Sequence, residues 1–333
     1  MSNTRTNRAG SLIAFILSGL FIAAAGWIFF NRQYALDQLS VWSYTPSSAV
    51  QAIDQKVKLT SKGQFIFYAT KPAVETQATF NKECPRQEAG SPILGCYTND
   101  DHIYIYNLTN QKLAGIEEVT ATHEMLHAVW YRTSAADKAT LETELRAAYA
   151  KINDADIKQR MEYYQRTEPG EFANELHSIL GTEVSSLGEP LESYYSKYFD
   201  RSAVLALHAQ YKAVYTALYN RADTLYSQMD SLASSIQTRS AAYESAVKQY
   251  ISDVNSFNAK ATSGGFSSQS QFNTTRAELV ARSSALDAER QSINTDIATY
   301  NNYYNEYQDI AKQIEVLNQS LDSFNQVQQA PSV

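Results

Sequence analysis

Val119-Thr120-Ala121-Thr122-His123-Glu124-Met125-Leu126-His127-Ala128-Val129-Trp130 is the stretch on which the rest of the chain is organised. Ile116, Val119, Leu126 and Trp130 recur at helical spacing, and residues four apart lie one turn apart on one helix face. His123 and His127 therefore aim two imidazoles at a common point, about 2 Å from each ring nitrogen, as zinc requires. Glu124 projects from the neighbouring flank, where it can take a proton from water activated by the metal. The plainer alternative is an amphipathic helix that carries two histidines for other reasons.

Working outward, Ser11 to Phe30 (SLIAFILSGLFIAAAGWIFF) is an uncharged run of 20 residues. That length suits a helix crossing the hydrocarbon layer, and it exceeds the apolar region of a cleavable signal peptide. An uncleaved anchor is expected, with residues 1–10 cytoplasmic and the bulk of the chain extracytoplasmic. Arg5 and Arg8 precede the run and Arg32 follows it, a slight basic bias in that sense. The formal charge of -7 disfavours nucleic acid as a partner, because phosphate binding needs a basic surface. Cys84 and Cys96 bracket a segment with Pro85, Gly90, Pro92 and Gly95. A disulfide across this loop fits an exported chain; free thiols or metal ligation are the alternatives, although the spacing of twelve is not that of a zinc site.

The pattern predicts a short helix from Ser47 or Ser48 to about Leu59. A strand is expected over Gly63 to Thr70 (GQFIFYAT), rich in aromatic and β-branched residues. His102 to Leu108 predicts a second strand directly before the histidine helix, placed to lie along a cleft and pair with an extended substrate. Helices follow at about Ala135 to Ile152 and Asp156 to Gln165. Thr167 then caps another, with Pro169 in its first turn and a stop near Gly181. On that last helix Phe172, Leu176 and Ile179 form an apolar stripe, while Glu171, Glu175, Ser178 and Thr182 form a separate polar one. Two carboxylates one turn apart suit a third metal ligand and its supporting acid.

These residues resemble the gluzincin group of zinc metallopeptidases, over roughly Gly63 to Leu187. The group carries His-Glu-x-x-His on one helix and a glutamate ligand on a later one. The resemblance implies that His123 and His127 bind Zn2+ and that Glu124 is the general base. Asn174-Glu175-Leu176-His177-Ser178 is similar to the N-E-x-x-S of the thermolysin group, which implies Glu175 as third ligand. An aspartate expected four residues later is replaced by Ile179. In the alternative register, similar to the E-F-x-x-E of lethal-factor-type toxins, Glu171 is the ligand and Glu175 its support. The metzincin pattern is excluded, since no third histidine follows His127 at its spacing. For the developing oxyanion the candidates are His177, Tyr194, Tyr195 and Tyr198, with Tyr195 taken as the catalytic one. His102 is a candidate for lining the cleft, and His208 is given no role.

From about Ser202 the chain lacks proline until Pro331. Leu225, Met229, Leu232, Ile236, Tyr243, Val247, Tyr250, Val254 and Phe257 form a helical stripe. After a break at Ala261 to Ser268, Leu279, Leu286, Ile293, Tyr300, Tyr307, Ile314 and Leu321 recur every seven residues, with Ile297 and Tyr304 as a second position. An antiparallel coiled-coil hairpin is expected, serving as a spacer or docking element; an intermolecular coiled coil is the alternative.

The expected fold class is thus α+β. It comprises a transmembrane helix (11–30), a zincin-like metallopeptidase domain (31–200), the hairpin (201–327) and a tail (328–333). The expected activity is hydrolysis of a peptide or protein substrate by a membrane-anchored zinc metallopeptidase. An inactive envelope scaffold acting through its coiled coil, by partner binding or self-association, is a second class. A zinc hydrolase of another amide, such as a cell-wall peptide, is a third.

Overall fold

The computed structural model describes residues 6–85 and 93–323. The tail, Gly90 and Pro92 of the cysteine loop, and residues 1–5 lie outside them. The chain is mostly helical, with one small sheet, and divides into two compact units. One comprises Met1–Val214 with Leu317–Val333, the other Tyr215–Val316.

The first unit begins with α1 (Thr6–Phe30), of which Leu12–Phe30 is long and apolar enough to cross a membrane and is wholly unburied. After Asn31 comes α2 (Arg32–Ser43), then α3 (Ser48–Val57), whose first turn is capped by the Ser47 hydroxyl accepting from the Val50 amide. The run expected as a strand at Gly63 to Thr70 is instead α4 (Ser61–Ala69). Thr60 caps it by accepting from the Gly63 amide, and its aromatic residues serve a helix packed against both α2 and a later helix. The apolar richness of the run reflects burial of Ile66 and Phe67, and burial does not distinguish strand from helix.

β1 (Ala73–Glu75) precedes α5 (Gln77–Glu83), β2 (Gly95–Tyr97) and β3 (Ile103–Tyr106). The sheet order is β1-β3-β2, with β1 parallel and β2 antiparallel to β3. The strand expected over His102 to Leu108 is therefore shorter and central. Both its edges are occupied, so it cannot pair with a substrate; β1 and β2 are the edge strands among the described residues. Cys84 and Cys96 form a disulfide that ties the end of α5 to β2. Reducing it is expected to lower stability by about 3 kcal/mol through the freed loop entropy, read as an earlier denaturant midpoint.

The helices α6 (Ile116–Arg132), α7 (Ala135–Tyr149), α8 (Ala155–Thr167), α9 (Phe172–Glu183) and α10 (Glu189–Tyr195) complete the head. Thr167 ends α8, its hydroxyl donating back to the Tyr163 carbonyl, and does not cap α9 as expected. Pro169 accordingly lies before α9, whose N-cap position is Glu171. Gly181 does not stop α9 either. A Cβ there would come within 2.6 Å of Leu126 and 2.7 Å of Tyr195, so the glycine permits close packing on α6 and α10. One core joins these helices through Met125, Leu126, Leu145, Met161, Leu176, Leu180 and Tyr195.

A buried ion triad pins the start of the head. Arg132, at the end of α6, donates to both carboxylate oxygens of Asp37 on α2 and to both of Asp101 in the β2–β3 turn. The Tyr97 hydroxyl adds a 2.7 Å bond to Asp101. Arg201, where α11 (Arg201–Thr262) begins, similarly binds Glu192 and the carbonyls of Leu180, Val184 and Ser185.

The second unit is formed by most of α11 and of α12 (Gln269–Leu321). Arg221 pairs with Glu306, Arg239 with Glu289 and Asp296, and Asp253 with Arg282, so partners run in opposite senses along the two helices. Leu279, Leu286, Ile293, Tyr300, Tyr307 and Ile314 are buried or half-buried. Ile297 and Tyr304 are exposed, contrary to expectation. The second inward position lies three residues after the first and holds Arg282, Glu289, Asp296 and Tyr303 before Ile310. Its charges are matched across the pair, which hides it from a search for apolar residues.

Candidate metal centre

α6 starts at Gly115 with Glu117 and Glu118 in its first turn, where carboxylates favour the positive end of a helix. Two turns on, His123 and His127 stand side by side with ring centroids 4.8 Å apart. α9 packs across α6 and brings Glu175 to both: Oε2 lies 3.5 Å from His123 Nε2, and Oε1 lies 3.6 Å from His127 Nε2. One donor atom from each of the three residues falls within 4.8 Å of the others. Two imidazole nitrogens and one carboxylate oxygen at this separation fit a single small cation with a coordination position to spare.

Glu171 stands behind this group. His127 Nδ1 lies 2.9 Å from Asn174 Oδ1, and Asn174 Nδ2 donates to Glu171 Oε2 at 2.9 Å. That chain orients the His127 ring with Nε2 toward Glu175. Ser178 Oγ, 3.4 Å from the same Nδ1, belongs to the polar stripe that the spacing of α9 implies.

The electrostatics differ sharply between the carboxylates. Burial would raise the Glu175 carboxyl. The charge on His127, the hydrogen bond and charge of His123, and a hydrogen bond from Tyr164 instead hold it down at about 2. Tyr164, on α8, had no distinguishing signal in the sequence. Glu124 is pushed up to about 7, chiefly by burial; nearby Glu175 adds to this, while His127 and the Tyr97 backbone amide oppose it. A buried carboxyl poised near neutrality suits proton transfer.

β2 lies directly over Glu124. The bonds Thr98 N–H to His102 O and Tyr106 N–H to Leu94 O, with antiparallel alternation, turn the Cys96 backbone toward β3. Gly95 and Tyr97 therefore present their backbone groups to the free edge, where the Tyr97 amide meets Glu124. A Cβ on Gly95 would sit 2.6 Å from Thr120 Cγ2, 2.8 Å from Glu124 Cγ and 2.9 Å from Glu124 Oε1. Gly95→Ala is expected to displace Glu124 and lower any turnover at least tenfold while leaving metal content intact, checked by steady-state kinetics with metal analysis.

The remaining candidates are not gathered here. Tyr195 is fully buried and its hydroxyl donates to the His177 carbonyl at 2.7 Å, so it is a core residue and not an oxyanion donor at this cluster. His177 is also fully buried, beside Trp130, Tyr194 and Tyr195, with Nε2 3.0 Å from the Tyr194 hydroxyl. Burial, reinforced by His127 and His123, pushes its pKa down to about 3, so it is neutral. Tyr198 is buried as well, and His102 lies partly exposed at the β2–β3 turn with Nδ1 2.9 Å from the Asp100 carbonyl. His208, given no role from sequence, sits 3.7 Å from Glu183, which also binds Arg160. Compared with known protein families, characterised proteins and solved structures, the chain matches none.

Proposed function

We propose that the chain is a membrane-anchored zinc metallopeptidase of gluzincin type, with Leu12–Phe30 as its anchor and the remainder extracytoplasmic. The convergence of His123, His127 and Glu175, with buried Glu124 on the same helix, is the observation that carries this reading. These three residues would hold the ion, and Glu171 acts through Asn174 to orient His127. A zinc ion bound there supplies Lewis acidity toward a peptide carbonyl and toward water.

Glu124 takes the proton of the attacking water and delivers it to the leaving amine, a cycle suited to a carboxyl near neutrality. The outward backbone groups of Gly95 and the Tyr97 carbonyl align an extended substrate by adding it as a strand at the edge of β2, the Tyr97 amide being held by Glu124. The unit Tyr215–Val316 acts as a helical hairpin of the coiled-coil kind, a spacer or docking element with its charged seam matched internally.

Metal analysis of purified protein tests the ligand assignment. Glu175→Ala is expected to lose most bound zinc, and Glu171→Ala to retain it with about ten- to a hundredfold weaker affinity. Zinc lost from Glu171→Ala but kept in Glu175→Ala would move the ligand by one turn. Absence of zinc and of peptide-library cleavage in the wild-type chain would end the reading.

A further inference from the structure

α2 is inside out. Gln33 and Asp37 face the head, where Gln33 Nε2 donates to Asp37 Oδ1 at 2.8 Å and Asp37 is clamped by Arg132. Leu36, Leu39 and Trp42, three residues apart, face away and are 46%, 58% and 75% exposed. On a helical wheel this apolar face lies opposite Asp37. A helix on a water-soluble surface carries the reverse arrangement, with polar residues outward.

We infer that the outward face of α2 is seated in the interfacial layer of the same bilayer that α1 crosses, and that it holds the head against the membrane. Three observations select lipid as the occupant. α2 begins two residues after the end of the unburied apolar helix α1, with only Asn31 between them. The junction is short and bonded, Asn31 N–H to Trp27 O and Ala35 N–H to Asn31 O, so α2 cannot wander from the membrane. Arg32 opens the helix and Trp42 lies in its last turn, a basic residue and an amphipathic ring of the kinds that settle at the headgroup level. The seat is rigid toward the site. Asp37 on its inner side grips Arg132, which lies five residues after His127 on α6. With a helix about 10 Å across, this keeps the candidate metal centre within roughly 25 Å of the lipid surface. The peptides it reaches are then membrane-proximal segments of other anchored proteins.

The inference rests on α1 as the anchor, and the experiment separates the two. The chain has three tryptophans, Trp27, Trp42 and Trp130. Full-length protein in bilayer nanodiscs is prepared with Trp42 alone (Trp27→Phe, Trp130→Phe) or Trp27 alone (Trp42→Phe, Trp130→Phe). Each is measured with lipids brominated near the headgroup or in mid-chain. Trp42 emission is expected to be at least halved by shallow bromines and less affected by deep ones, while Trp27 is quenched within the bilayer. Unquenched Trp42 beside quenched Trp27 overturns the seat and leaves the anchor standing; loss of quenching at both overturns both. A nitroxide at Leu39→Cys in otherwise wild-type protein gives a second reading free of tryptophan replacement. Collision with oxygen above that with a water-soluble nickel complex is expected. The opposite order, or spin coupling between two copies, overturns the proposal.

Discussion

Glu124→Gln is expected to leave zinc content unchanged and to lower peptide turnover by about a hundred- to ten-thousandfold. Glutamine keeps the size and the acceptor oxygen that meets the Tyr97 amide, but it cannot take up a proton. Glu124 is outside the His123, His127 and Glu175 triangle, so its loss as a base leaves the donor set intact. The substitution also removes a buried acid from beside Glu175, so destabilisation is not expected to confuse the result. Equal turnover in the two proteins, measured at matched zinc content, would remove Glu124 from the chemistry.

The second large effect is one of stability. Arg132→Ala is expected to cost about 3 kcal/mol, seen as an earlier midpoint in denaturant unfolding. The reason is what remains behind. Asp37, with 5% of its side chain exposed, keeps the Gln33 amide, and Asp101 keeps the Tyr97 hydroxyl, as their remaining side-chain partners among the described residues. The value sits at the low end for a broken buried pair because Asp101 is 30% exposed and water can reach it. Adding Asp37→Asn to Arg132→Ala removes the stranded charge and is expected to recover part of the loss. A midpoint unmoved by Arg132→Ala would show that the triad does not hold α2 to the head.

The parts of the site that were legible in the sequence are those where chemistry and helical spacing coincide. His123, Glu124 and His127 are read from one turn of one helix, and Glu175 and Glu171 from one turn of another. Their meeting depends on α6 and α9 crossing closely, which rests on Gly181, a residue that reads from sequence as a helix stop. Tyr164 reaches the site through tertiary packing alone, and nothing in its immediate neighbours marks it; Asn174 stands in the N-E-x-x-S stretch beside Glu175, but its bond to His127 depends on the crossing of α6 and α9.

Gly63 to Thr70 misled because a short apolar run buried on several sides carries no period. The Thr60 cap three residues before Gly63 was the better signal. Tyr195 misled for a related reason: a tyrosine near a site by sequence order is as readily a core residue with one satisfied hydroxyl. In the long helices the alternation of apolar residues located one inward row, while the second is written in opposite charges on separate arms.

Cys96 is the neighbour of Gly95 on the strand that covers Glu124, so the oxidation of one sulfur pair reaches the proposed general base through a single peptide link. A chain that acquired its fold on the reducing side of a membrane would lack this staple, and its covering strand would be held by the sheet ladder and by its packing on α6. Under the proposed reading, maturation of the site would be coupled to passage into an oxidising compartment, which would delay cutting until the chain has left the cell interior. Stepwise titration with a thiol reductant is expected to lower turnover in parallel with the loss of the Cys84–Cys96 bond, before the helical signal declines.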